Sequence, residues 1–279
     1  MAVDKFIANN YGLATLHFGE GDRKLAEIHQ KSANDLGSII LELASRLRDA
    51  EDTQDVTQLL VEAISPFGYD RFVYARSPAE DSRVEEYISL TNLEPAWMQH
   101  YLSEELYQSD FALEHCLKSS KPLRWITLPE LIERGEMTHK NGEVYKAACD
   151  WGISNGVTIP LPCFGRYKAG ISLVGDPNAN HDQQDQLFQA EEKTLSTIVQ
   201  IFHAAVNMGT IARGFFNLSK REIEVLKWLS NGLKTKEIAK KLQTSVHTVE
   251  KQSKSARERL GAASSTEAVA KAAILGIIN

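Results

Sequence analysis

LSKREIEVLKWLSNGLKTKEIAKKLQTSVHTVEKQSKSARERLG, Leu218–Gly261, is the stretch whose reading decides the fold. Ser219 followed by Glu222 forms a capping box, in which hydroxyl and carboxylate each satisfy an orphan N–H. Ile223, Leu226 and Leu229 recur at helical spacing beside Trp228, and Gly232 supplies a left-handed stop. Thr235 is read as the cap of a second helix carrying Ile238, Ala239 and Leu242. Ser245 caps a third helix from Val246 to Leu260, closed by Gly261. Two short helices, a tight turn and a longer helix make a helix-turn-helix.

Val249, Ala256 and Leu260 share the inner face of the third helix. His247, Thr248, Glu250, Lys251, Lys254 and Arg257 are left for solvent, with Thr235 and Lys236 at the start of the helix before it. Long polar side chains on such a helix suit a major groove, where base edges carry a readable donor and acceptor code. A small helical bundle with a solvated charged face is the plainer alternative, and charge decides between them. From Arg213 onward there are 13 Lys and Arg against 6 Asp and Glu, a net of +7. Residues 1–212 hold 18 against 31, a net of −13. A basic end on an acidic body is the footprint of phosphate binding confined to one domain.

The segment resembles the DNA-binding domain of LuxR-type regulators, with Glu222, Leu226 and Gly232 at that family's Glu, Leu and Gly. Gln243 stands in the turn where the family has Gly, Thr244 replaces an aliphatic residue, and Glu250 occupies a recognition-helix position that is often basic or neutral. A carboxylate there can accept from a cytosine amino group.

The 279 residues suit two domains. Apolar residues make up 43%, enough for a sizeable core. Cys116, Cys149 and Cys163 are an odd number without CxxC spacing, which points to reduced thiols in a cytoplasm rather than to disulfides or zinc. Asp4 and Lys5 interrupt the start of the chain, so no signal peptide is expected. Thr194–Ala212 is uncharged, but its apolar residues form a stripe among polar ones, and no membrane span is expected.

Helices are expected over Asn34–Ala50, from a cap at Thr53, over Pro95–Glu105 and over Gly142–Trp151. Arg71–Arg76 and Tyr87–Thr91 read as strands. Gly156–Leu161 and Tyr167–Val174, joined by residues 162–166, read as an antiparallel hairpin. A long helix is expected from Asp185 to about Met208, with Leu195, Ile198, Val199, Phe202 and Val206 in one stripe. Ile201, Ala204, Ala205 and Met208 form a second stripe, expected to meet another subunit. The expected boundaries are an N-terminal extension over 1–33, a ligand-binding and dimerisation domain over 34–208, a linker over 209–217 with Gly209 and Gly214, and the DNA-binding domain over 218–279.

Trp97 and Tyr101 lie one helical turn apart, with Asp110 and Trp125 downstream. Taken singly, an aromatic pair at this spacing is more often core, and a lone Asp more often a cap. Together, indole N–H, phenol O–H and carboxylate give an apolar pocket a polar end, suited to a small amphipathic ligand. The set resembles the autoinducer-binding domain of the same family, and WGISNGVTIPL, Trp151–Leu161, matches its motif placing a glycine, here Gly156, before a central strand. The resemblance implies an N-acyl-homoserine lactone as ligand and no other cofactor. Trp97 would donate to the lactone carbonyl and Asp110 would accept from the ligand amide, with Tyr101 and Trp125 as walls. Leu93 stands where many lactone binders have a Tyr, and Phe111 where Pro is usual.

The fold class so implied is α+β: an N-terminal α-β-α sandwich around an antiparallel sheet, then an all-α four-helix helix-turn-helix domain. The function implied is that of a cytoplasmic, ligand-responsive transcription regulator of the quorum-sensing type, a homodimer on a palindromic double-stranded operator. The alternatives are an orphan member or an inhibitory heterodimer partner, and then a phosphorylation-driven response regulator. The last needs an alternating strand–helix pattern that the first half lacks. No nucleophile elbow, P-loop or metal-spaced His pair points to an enzyme.

Overall fold

The computed structural model describes residues 33–78, 88–163 and 167–278. Residues 1–32 of the expected N-terminal extension, Tyr87 and the turn residues 164–166 lie outside the described residues, and Ala33 already belongs to the first helix.

Helices α1 (Ala33–Asp49) and α2 (Thr53–Ile64) lead into the sheet. The cap of α2 is Asp52, one residue earlier than expected: its Oδ1 accepts from the backbone N–H of Gln54 and Asp55. Thr53 is the first helical residue. Strand β1 (Tyr69–Pro78) runs longer than its apolar core, and β2 (Ile88–Thr91) pairs with it. Next come α3 (Pro95–Ser103), α4 (Phe111–Lys118), a two-residue β3 (Leu123–Arg124), α5 (Leu128–Glu133) and α6 (His139–Asp150). Strands β4 (Gly156–Leu161) and β5 (Tyr167–Gly175) complete an antiparallel sheet of order β2-β1-β5-β4-β3.

Alternation along the strands sends side chains to two apolar layers. Phe72, Tyr74, Val157, Ile159, Ile171 and Leu173 face a core shared with α1, α2 and the long helix α7 (His181–Ala205). Val73 and Val174 face the opposite layer, with Leu93, Trp97, Tyr101, Phe111, Trp125 and Leu128. Helices on both faces of an antiparallel sheet are the sandwich the sequence implied.

The chain departs from expectation after α7. Asn207 ends that helix and starts another, its side chain accepting from the backbone N–H of Gly209. Helix α8 (Met208–Phe215) turns 79° away, so the segment expected as a linker is helical. Ile211 and Ala212 are fully buried in it. The two glycines of the expected linker serve close packing: a Cβ on Gly209 would lie 2.0 Å from the Gly276 carbonyl oxygen, and one on Gly214 would lie 2.3 Å from a Thr53 methyl. The first stripe of α7 is buried as expected. The second is broken by the bend: Ala205 and Met208 pack against their own core, leaving Ala204 exposed and Ile201 half-buried.

The C-terminal bundle comprises α9 (Lys220–Ser230), α10 (Thr235–Lys241), α11 (Val246–Arg259) and α12 (Ser265–Ile274). The Ser219–Glu222 box is present in both directions, at 2.6 and 3.2 Å. Ser245 caps α11 through the Thr248 N–H. Thr235 is not a cap: Lys234 holds that position, its backbone N–H donating to Glu237 at 2.7 Å. Ile211, Phe215, Leu226, Leu260, Ala272 and Ile277 belong to one apolar cluster continuous with the sheet.

Candidate functional site

The signal-binding candidates converge on the second face of the sheet. Pro95 fixes φ at the first turn of α3, and one turn then brings Trp97 and Tyr101 inward, with Leu93 just before it. Leu93, Trp97, Tyr101, Phe111 and Trp125 are all buried. Asp110 caps a helix at the edge of this layer. Its Oδ1 accepts from the backbone N–H of Ala112 and Leu113 at 2.7 and 3.2 Å, starting α4. Its Oδ2 accepts from the Tyr101 hydroxyl at 2.6 Å. Burial pushes the Asp110 carboxyl above the usual range, and the Tyr101, Ala112 and Leu113 hydrogen bonds offset part of that rise. The cap that a lone Asp more often makes is present, the carboxylate is held at both oxygens, and a lone pair of Oδ2 is what remains for a further donor.

Trp125 is equally fixed. Its indole N–H donates to Thr158 Oγ1 at 2.9 Å, and that hydroxyl meets Ser172 Oγ at 2.9 Å. Gly156 makes room: a Cβ there would lie 2.9 Å from the Trp125 ring and 2.5 Å from the Leu173 carbonyl. Phe111 packs edge-on against Trp125 and Tyr145, with centroids 5.6 and 5.9 Å away. Trp97, His100 and Trp151 form a three-ring cluster, each pair 5.9 Å apart, with Trp151 at 42% exposure. Sequence reasoning missed Thr158, Ser172, Tyr145 and the His100–Trp151 stack. Thr158 and Ser172 were accessible by parity, because each is the polar residue in an apolar run, Gly156–Leu161 and residues 169–175, and Thr158 shares a face with Gly156.

The DNA-binding candidates lie together on the bundle's surface. Lys236, His247, Thr248, Glu250, Lys251 and Lys254 are exposed, and Thr235 is half-buried. Arg257 is half-buried, and its Nε is buried without a hydrogen-bond partner among the described residues. Thr248 is partly committed, since its hydroxyl and N–H both meet Ser245 Oγ. Gln243, where glycine was noted as usual, adopts φ +50°, which explains that preference. Beneath this surface, Val249 and Ala256 anchor α11. Glu222 joins α9 to it through Arg259 at 3.3 Å, and Arg259 also donates to the Asn217 carbonyl.

A buried aromatic site with a fixed carboxylate, joined through one core to a helix-turn-helix with an exposed recognition helix, defines a signal-responsive DNA-binding regulator. Comparison with known proteins agrees. Residues 52–206 match the autoinducer-binding domain, and residues 217–272 match the bacterial regulatory proteins of the luxR family. The chain belongs to the LuxR family of quorum-sensing transcription regulators. It is 26% identical to the transcriptional activator BjaR1 of Bradyrhizobium diazoefficiens over 249 residues, covering 89% of this chain and 99% of that protein. It is also 26% identical to the quorum-sensing regulator RhlR of Pseudomonas aeruginosa over 248 residues, covering 85% and 95%. The solved structure of CepR2 from Burkholderia cenocepacia aligns with TM-score 0.49 at 13% identity, over 63% of this chain and 98% of that one. No single helix among the described residues is long and apolar enough to cross a membrane.

Proposed function

We propose that this regulator takes an N-acyl-homoserine lactone between Trp97, Tyr101, Asp110 and Trp125, with Leu93 and Phe111 against the acyl part. It then acts in the cytoplasm as a homodimer on a palindromic operator. The observation that carries the reading is the Tyr101–Asp110 hydrogen bond of 2.6 Å inside an aromatic layer. A carboxylate so fixed is pre-organised to accept an amide N–H, and a charge-assisted bond of this kind is roughly twice as strong as a neutral one. The Trp97 indole would donate to the lactone carbonyl. Thr235, Lys236, His247, Thr248, Glu250, Lys251, Lys254 and Arg257 would face DNA, base edges toward the start of α11 and phosphates toward its end. Ile201 and Ala204, the part of the second stripe left outside the core, would contribute to the dimer.

Native mass spectrometry tests the reading after incubation with a series of acyl-homoserine lactones. The expected result is one lactone retained per protomer, with the dimer as the main species. No retained lactone, with unchanged melting across the series, would overturn the choice of ligand.

A further inference from the structure

We infer that the signal site is cut short beside α4, so that it takes a lactone with a compact acyl group, and that Phe111 sets the limit. The inference rests on the ligand reading above and narrows its substrate class.

Phe111 is the first residue of α4, so its backbone is held by the Asp110 cap, whose Oδ1 binds the next two N–H groups. Phe111 lies in the same buried layer as Trp97, Tyr101 and Trp125, and we take its ring as the wall that the acyl part of a ligand held by Asp110 would meet. That ring is 5% exposed and wedged edge-on between Trp125 and Tyr145. Neither neighbour is placed to withdraw. The Trp125 indole is tied to Thr158, and its ring lies over Gly156. The Tyr145 hydroxyl donates to the Ser154 carbonyl at 3.3 Å. Helix α4 itself lies directly on the sheet. Cys116 Sγ fills the space of a missing side chain on β5, only 2.3 Å from where a Gly170 Cβ would be. Lifting α4 to admit a long chain would break this contact and pull on the Asp110 cap together.

The test is isothermal titration of the full-length protein with butanoyl-, hexanoyl-, decanoyl- and dodecanoyl-homoserine lactone, for wild type, Phe111→Ala and Phe111→Leu. Wild type should bind butanoyl or hexanoyl best and lose affinity as the chain lengthens. Phe111→Ala should move the optimum to longer chains and bind the decanoyl compound about tenfold tighter than wild type does, the gain expected from roughly two more buried methylenes. Phe111→Leu should shift the same way by less, and it carries the test if the Ala variant does not fold. A wild type that prefers dodecanoyl, or variants that keep the wild-type order, would overturn the inference. If no lactone binds any of the three, the ligand reading fails, and Phe111 is then judged with toluene as probe. Binding of toluene by Phe111→Ala and not by wild type would uphold the blocked site, and any other pattern would refute it.

Discussion

The two functional regions use their side chains in opposite ways. On the DNA-binding bundle, the residues assigned to function are mostly exposed, and the residues assigned to folding lie beneath them: Lys251 and Lys254 above, Val249 and Ala256 below. In the signal-binding layer the two sets are the same. Asp110 caps α4, Trp125 is bonded into the sheet, and Phe111 fills core volume. Substitutions on the bundle surface should therefore change binding and spare stability, whereas substitutions in the signal layer should move both.

The largest expected effect tests whether the regions are energetically separate at all. Ala212 is fully buried in α8, between the sheet domain and the bundle. Ala212→Asp places a carboxylate there without a partner and should cost more than about 4 kcal/mol. It should lower the melting of both regions together, as read by calorimetry. A shift confined to one of two transitions would mean that α8 does not couple them. The same logic predicts that residues 208–279 form a more stable fragment than residues 218–279, because α8 shares an apolar cluster with Ile277 and Ile278 and packs Gly209 against Gly276.

Glu222 gives the next effect. Burial pushes its carboxyl up, but hydrogen bonds from Ser255 and Ser219 and the charge of Arg259 outweigh it, and the net position is below the usual carboxylate range. Its folded value lies below its unfolded one. The stability it contributes is therefore complete above the unfolded value and is lost as pH falls through the folded one. Glu222→Gln should melt lower at neutral pH by the equivalent of about 1–3 kcal/mol, and the gap should close under acid. Melting curves from pH 7 to pH 3 check this, and a gap independent of pH would refute it.

Asp110→Ala should cost about 1–2 kcal/mol without ligand, because the cap of α4 is lost. Thermal melts of the unliganded variant read this directly. Unchanged melting would mean that the capping bonds are inconsequential and that signal and fold are separable here too.

On the bundle surface, Lys254→Ala should leave melting within about 0.5 kcal/mol and weaken DNA binding by about 1–3 kcal/mol if Lys254 meets a base. Lys140, exposed on α6, is the control and should have no effect on DNA binding. Lys271 would be a poor control: its Nζ donates to the Leu260 and Gly261 carbonyls, pinning α12 to the end of α11. Equal losses for Lys254→Ala and Lys140→Ala in a binding titration would place the DNA on another face.

What could be read in the sequence follows the same division. The bundle was legible nearly to the residue, because capping pairs, helical periodicity and charge are local signals. The two cap errors, Thr53 and Thr235, are single-residue slips past Asp52 and Lys234. That the residues proposed to bind the signal would share one buried layer was legible too, but their wiring was not. That Asp110 would be held by Tyr101, or that Trp125 would bond Thr158, depends on how α3, α4 and the sheet meet, across 9 and 33 residues of sequence. That the segment 209–217 would be helical was not legible for a related reason. Glycine signals freedom locally, whereas Gly209 and Gly214 meet Gly276 and Thr53, distant residues that no local pattern reveals.

The claim that the Tyr101–Asp110 couple is a binding element beyond its structural role is tested most directly by titrating wild type and Asp110→Asn with the acyl-homoserine lactone that wild type binds best. Asn is as good a helix cap as Asp, so the two capping bonds should survive, and the unliganded melt should fall only by the loss of the Tyr101 bond to the second oxygen. The Asn amide is a weaker acceptor, and its NH2 is left without a partner in a closed site. Binding should therefore weaken about tenfold, and the stabilisation at a ligand concentration of about one hundred times the wild-type Kd should fall from about 2.7 to about 1.4 kcal/mol. Equal affinities for the two proteins, or a lower unliganded melt with an undiminished ligand-induced shift, would contradict the account and leave Asp110 as a helix cap alone.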